Sequence, residues 1–395
     1  MTTVPREGRA SRLPLEGVRI LDLSRLLPGP YATMVLADLG ADVVKIEDPR
    51  GGDPARWMPP LAGAQSGHYH ALNRNKRSAT IDLRAPEGVA ALRRLCRRSD
   101  VLVESFRPGV LERLGIGWEA LSRENPRLVL CSITGYGQDG PYRDRAGHDI
   151  DYVAVAGVLG LNGPKERPML LSVQVADVAG GSWPAVAGIL AALLGRGATG
   201  KGAHIDVAMA DGALALLALQ QGGADARGEP LRREAEMLNG GWPRYGVYRT
   251  LDGRFVAFGA FEPKFFRSFC EGVGRPELSQ GSSDLGEALE AIFASRTRED
   301  WAAFAAKNDV CLMPVLEGDE PMRDPQLQAR GNFVEIETPW EGRAMRSLAS
   351  PVHLAGVQSP RRPAPALGAD TDAVLTEAGF EPEELARLRQ AGVLG

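Results

Sequence analysis

Three acid/base side chains stand in segments whose neighbours suit chemistry. His148 lies in the polar loop Ala146-Gly-His-Asp-Ile-Asp-Tyr152, Asp177 in Gln174-Val-Ala-Asp-Val-Ala-Gly-Gly-Ser182, and Glu262 in Phe258-Gly-Ala-Phe-Glu-Pro-Lys-Phe-Phe266. Imidazole and carboxylate are the usual donors and acceptors of general acid–base catalysis. Each residue also has a structural reading. A loop histidine is more often structural, and an aspartate ahead of an apolar helix is a natural N-cap. A glutamate before a helix-opening proline suits the positive helix end. The pair Gly180-Gly181 adds a reason to look beyond a cap at Asp177, because it lets backbone N–H groups approach a ligand closely.

Basic residues form two groups beside predicted strands. Asn73-Arg-Asn-Lys-Arg77 precedes one, and Phe106-Arg-Pro-Gly109 follows another, with Arg113 just beyond. Ligands of α/β sheets sit at the carboxyl ends of strands, so two such groups can clamp the phosphates of a nucleotide-like ligand. The plainer alternative is a solvated charged loop. Arg93, Arg94, Arg97 and Arg98 recur on one helix face and read as an exposed basic surface.

Gly135-Tyr-Gly-Gln-Asp-Gly140 satisfies GxGxxG, but the chain continues Pro-Tyr-Arg-Asp-Arg145 where a dinucleotide fingerprint must open a helix. The motif is therefore discarded. The cysteines Cys96, Cys131, Cys270 and Cys311 are far apart, which argues against a zinc site, a redox dithiol or a disulfide framework. No metal site is expected.

The elements that must position these residues follow a βαβ rhythm. Val18–Leu23, Asp42–Ile46, Ala79–Leu83, Val101–Glu104 and Leu128–Ile133 read as strands. Helices are expected over Tyr31–Leu39 and from Pro86 to about Ser99. A strand at His204–Met209 lies between apolar helices. Gly222–Trp242 reads as a linker. A hairpin (Tyr245–Thr250 and Arg254–Ala260) and helices near Pro263–Val273, Leu285–Ser295 and Glu299–Lys307 follow it. The expected organisation is a polar leader (1–14), a large α/β domain with a parallel sheet (15–222), a smaller α+β domain (223–325), and a C-terminal segment (326–395) returning to the large domain.

The chain has 395 residues, 44% of them hydrophobic and 24% charged, with 46 basic against 50 acidic side chains. A net charge of −4 supplies no global field for nucleic acid or an anionic membrane. The leader, with Arg6, Arg9 and Arg12, has no apolar core. The longest greasy helix candidate, Trp183–Leu194, is too short to span a bilayer. A cytoplasmic protein without membrane or nucleic-acid partners is the expectation.

Taken together, several segments resemble the family III CoA-transferase and racemase superfamily. They are the stretch from Leu27-Pro-Gly-Pro-Tyr to Lys45-Ile-Glu47, Asn73-Arg-Asn-Lys-Arg-Ser-Ala-Thr-Ile-Asp-Leu83, Glu104-Ser-Phe-Arg-Pro-Gly109 and Thr134-Gly-Tyr-Gly-Gln-Asp-Gly-Pro141. The likeness is greatest to the α-methylacyl-CoA racemase branch, through Gly147-His-Asp-Ile-Asp-Tyr152, Asp177 and Glu262. Two departures, Glu104-Ser105 and the long stretch Asp53–Gly67, bear on acyl-group specificity.

The resemblance implies a Rossmann-like large domain and a smaller domain in an interlocked homodimer. It also implies an acyl-CoA substrate, with CoA part of the substrate and no separate cofactor. Leu72, Asn73, Arg74, Lys76, Arg107 and Arg113 become the expected CoA-binding positions, with Asp149 and Tyr152 from the histidine loop. His148 and Asp177 would exchange the α-proton of a 2-methylacyl thioester, with Glu262 orienting the imidazole, a chemistry of fatty acid metabolism. The rival is a CoA-transferase in which Asp177 is the nucleophile.

Overall fold

The apolar run after Val18 forms β1 (Arg19–Asp22), whose last three residues are fully buried. Pro28 opens α1 (Pro28–Asp38) in the first-turn position that its fixed φ favours. The helix is followed by Gly40 at φ +102°, pressed against Leu13. β2 (Asp42–Glu47) then pairs in parallel with β1. The unit continues through β3 (Arg77–Thr80), α2 (Pro86–Cys96), β4 (Val101–Glu104), α3 (Trp118–Glu124) and β5 (Val129–Thr134). β6 (His204–Ala208) completes the parallel sheet, in the order β3-β2-β1-β4-β5-β6. This computed structural model describes residues 13–338 and 344–395, so the first twelve residues of the expected leader lie outside the described residues.

The order reverses between β1 and β4, where an open parallel sheet leaves a crevice beyond its strand ends. One face of the sheet is covered by Leu92 and Leu95 of α2, together with Val374, Leu375, Leu385 and Val393 from the C-terminal segment. Among the bonds that fasten that segment, Ser78 donates its N–H to Asp370, and Asp82 donates to the Val393 carbonyl. The third strand accordingly ends at Thr80, three residues before the expected limit of Leu83, because Asp82 turns to meet the C-terminus.

Of the arginines at the end of α2, Arg97 and Arg98 are exposed as expected and Arg93 and Arg94 are partly buried, and all four are bonded. Arg93 and Arg97 hold Glu124 of α3. Arg94 and Arg98 donate to the carbonyls that end helix Thr371–Glu377, and Arg94 also lies over Phe380.

The chain divides into two compact units. The first runs to Ala156 and takes in Val173–Leu216 and Ala329–Gly395; the second comprises Gly157–Ser172 and Leu217–Gln328. Its longer segment opens with a helix, Ala218–Arg227, whose last six residues fall where the linker Gly222–Trp242 was expected to start. Its antiparallel sheet (Tyr245–Arg249, Phe255–Gly259, Leu312–Pro314) buries Tyr248, Val256 and Phe258 against Phe269, Phe293 and Trp301. Glu262 stands just ahead of its helix Pro263–Gly272.

A buried charge cluster supports the turn between β1 and α1. Lys76 donates to Asp22 (3.0 Å), to Asn73 (2.8 Å) and to the Pro30 carbonyl (2.9 Å). Lys45 pairs with Asp53 (2.9 Å) and donates to the Ser24 carbonyl (2.8 Å). Burial works against the Asp22 carboxylate, but Lys76 and Lys45 hold its pKa below the usual range. Replacing Lys76 by Met would strand that charge, at a cost of about 3–5 kcal/mol. We expect a correspondingly lower midpoint in urea unfolding; an unchanged midpoint would mean that the pair does not support the fold.

Candidate active site

The helix-opening sequence His148-Asp-Ile-Asp builds the first side of the site. His148 precedes α4 (Asp149–Val155), and its backbone N–H is held by the Asp151 carboxylate at 2.9 Å. The imidazole is exposed, whereas Tyr152, one turn further, is buried and donates to the Gly147 carbonyl at 2.5 Å. A Cβ at Gly135 or Gly147 would strike the Tyr152 ring, at 2.4 and 2.7 Å. The first glycine of the discarded GxGxxG motif thus makes room for an aromatic ring rather than a pyrophosphate.

Asp177 comes from a π-helical turn, Ala176–Ser182, that leads without a break into α5 (Trp183–Thr199). The continuous run, Ala176–Thr199, is 24 residues long. This corrects the expectation of a 12-residue apolar helix: by length and composition it is sufficient to cross a membrane. In this fold Ala185, Val186 and Ile189 are buried within it.

Gly180 and Gly181 serve packing. The turn lies against α6 (Met209–Ala215) so closely that a Cβ on Gly212 would fall 2.0 Å from the Gly180 carbonyl oxygen. Ser182 then ties the turn to the start of α1 by donating to the Pro28 carbonyl at 2.7 Å.

His148 and Asp177 are both in the wall of one cleft of about 550 Å³. Asp177 is half-buried, and its backbone N–H donates to Asp149 Oδ1 at 2.9 Å. Burial and then the Asp149 charge raise its pKa to about 6, while the nearby His148 pulls the other way. Burial, followed by the Asp177 charge, raises the Tyr152 phenol to about 12, so it remains a hydroxyl.

The two basic groups have opposite fates. Asn73, Arg74 and Lys76 are buried. Arg74 forms a two-pronged pair with Asp38 (2.6 and 3.0 Å), and Lys76 is spent on Asp22. Their charges are therefore paired within the protein. Leu72 ends the short helix Gly67–Leu72 and is partly buried. Arg107 and Arg113, by contrast, are exposed and in no ion pair among the described residues. Arg107 lines the cleft together with Arg143 and Arg145, two residues the sequence reading treated only as loop. Arg113 and Arg143 lie close to Gly109, with nitrogens 3.4 and 3.2 Å from the position of a Cβ there.

A second cleft, of about 330 Å³, lies beyond the ends of β1, β2, β3 and β4, at the reversal in strand order. Arg25 and Phe106 line both clefts, with the guanidinium 5.2 Å from the ring centre. Among the described residues, no three His, Cys, Asp or Glu side chains are grouped to hold a metal ion.

With that geometry in hand, the likeness to known proteins is informative. The family model for CoA-transferase family III matches residues 15–371. The chain belongs to this family. Human α-methylacyl-CoA racemase is 37% identical, over 97% of this chain and 98% of that one. The succinate–glutarate CoA-transferase of Agrobacterium fabrum is 36% identical, over 95% and 98%. A CAIB/BAIF family protein from Brucella suis has a similar fold, with TM-score 0.80 at 32% identity, covering 93% of this chain and 100% of that one. The protein is therefore a family III enzyme, and the family implies an acyl-CoA substrate.

For this family III enzyme, the contact between Gly180 and Gly212 sets where Asp177 stands. Gly212→Ala must push the turn away, and a displacement near 1 Å costs about 10²-fold in rate. We expect that loss in acyl-CoA turnover with an unchanged circular-dichroism spectrum. Gly197→Ala, with open space around it, serves as the control.

Proposed function

We propose that the protein racemises 2-methylacyl-CoA thioesters by removing the α-proton and returning a proton to the opposite face. The observation that carries this reading is the meeting of His148 and Asp177, from separate segments, in a single cleft. One group takes the proton from Cα as a free base. The electron pair delocalises onto the thioester oxygen as an enolate, and the other group, starting protonated, delivers its proton to Cα. Both directions are served because each group can work in either protonation state. The raised pKa of Asp177, about 6, suits a carboxyl group that must both give and take a proton near neutrality.

The thioester would lie in the larger cleft, with the pantetheine passing Arg25 and Phe106 and the nucleotide end in the smaller cleft. Arg107 and Arg143 of the larger cleft, with Arg113 beside Gly109, are in no ion pair among the described residues and would meet phosphate oxygens where the pantetheine joins the nucleotide. This chemistry calls for no cofactor, since CoA belongs to the substrate. Glu262, in the second unit, would serve the imidazole. The reading further takes the protein as a cytoplasmic homodimer of fatty acid metabolism.

A second reading draws on the 36% identity with a CoA-transferase. Asp177 would attack the acyl carbonyl and expel the CoA thiolate. That thiolate would then attack the aspartyl carbonyl of the anhydride, leaving a protein thioester and a free acid. This route gives His148 no task.

Incubation with a 2-methylacyl-CoA in D₂O without an acceptor acid separates the two. Racemisation predicts deuterium at Cα, reduced about 10²–10⁴-fold by His148→Ala or by Asp177→Asn. A hydroxylamine-sensitive adduct at Asp177 with no exchange would overturn it in favour of transfer. Arg107→Ala and Arg113→Ala should each raise KM about tenfold or more, the worth of one charge-assisted hydrogen bond. Their melting temperatures should stay at the wild-type value, because neither charge is paired among the described residues.

A further inference from the structure

The first turn of α4 carries two carboxylates with parallel tasks. Asp151 accepts the backbone N–H of His148 at 2.9 Å, and Asp149 accepts the backbone N–H of Asp177, also at 2.9 Å. Two residues of one rigid turn thus hold the main chain at both acid/base groups, although these are 29 positions apart in sequence. The second bond is the informative one. It spans from α4 to the start of the π-helical turn, and its acceptor is charged.

We propose that Asp149 is a positioning residue of this site. Its carboxylate straps the segment bearing Asp177 to the helix start bearing His148, and its negative charge keeps a proton available on Asp177. The proposal rests on the racemase reading for its meaning in catalysis, but not for its test.

The charged surroundings leave Asp149 as the carboxylate acting on Asp177. From α4, Asp149, His148 and the Tyr152 phenol face it. The other elements packed on the turn are α1, α5, α6, β5 and β6. Asp38 of α1 is paired with Arg74, and Arg196 of α5 with Asp100. On β6, Asp206 accepts the Gln138 N–H and His204 meets the Ser132 hydroxyl. Asp211 of α6 is exposed to water, and β5 carries no charged side chain.

Asp149→Asn keeps an oxygen that can accept the Asp177 N–H but removes the charge. Asp149→Ala removes both, and Asp149→Glu retains the charge on a longer arm. Two measurements decide the matter. The first is the carboxyl ¹³C shift of Asp177 followed against pH in the full-length protein, assigned by its loss in Asp177→Asn. Removing the like charge that accepts the Asp177 backbone N–H should lower the titration midpoint by about one pH unit in Asp149→Asn. It should move little in Asp149→Glu, or in Asp151→Asn, which removes a neighbouring charge from the same turn.

The second is the pH profile of α-proton exchange. The acid limb should shift to lower pH in Asp149→Asn. Asp149→Ala should lose kcat about tenfold or more, the effect of a displaced catalytic group. An Asp177 midpoint identical in wild type and Asp149→Asn would overturn the proposal, whatever the enzyme's reaction proves to be. A shifted midpoint in a protein that shows no exchange would leave the proposal standing and remove the racemase reading.

Discussion

The turn from Ser24 to Pro30 is held from below by buried charges, and both clefts depend on it. Its carbonyls at Ser24 and Pro30 accept from Lys45 and Lys76, and its N–H at Leu26 donates to Asp53. Leu26 is thereby kept at φ +64°, a left-handed backbone that costs a leucine about 1–3 kcal/mol. Burying two lysines and two aspartates carries its own desolvation penalty, so the cluster is weak evidence for net stability. What it does secure is position. The backbone of Arg25, a residue in the wall of both clefts, lies between these bonded neighbours.

A similar constraint acts on the other side of the larger cleft, and there it is steric. The π-helical turn can place Asp177 only because Gly180 and Gly212 lack side chains where two backbones nearly touch. An extra residue per turn of helix rotates the side chains relative to an α-helix, and such turns recur at functional sites. Here the turn is locked by Gly212 behind it, by Ser182 reaching Pro28, and by Asp149 accepting the Asp177 N–H. Half-burial of the carboxyl group follows from that packing, and its raised pKa follows from the half-burial and the Asp149 charge.

The arginines and lysines show how far the chain alone is informative. Asn73–Lys76 and Phe106–Arg113 carry the same residue types beside successive strands, and nothing in their spacing tells them apart. The difference lies with distant carboxylates. Asp38 and Asp22 precede Arg74 and Lys76 by 36 and 54 positions, and the fold brings each pair together in the interior. Among the described residues, no such partner reaches Arg107 or Arg113. Arg143 and Arg145 sit in a segment with no periodicity, so only the folding of that loop over the cleft reveals them.

From residue types alone, the chain determined its α/β class, most strand and helix positions, and the segments that bear His148, Asp177 and Glu262. Those features rest on local signals: apolar runs, proline at helix starts, and long family-specific stretches. The tertiary structure decided which charges are free, why Gly180 is a glycine, and that an apolar helix runs from Ala176 to Thr199 rather than over twelve residues. Each of these turns on contacts between parts of the chain remote in sequence. Burial, ion pairing and backbone-to-backbone approach are properties of the folded chain, and no local window of sequence contains both partners.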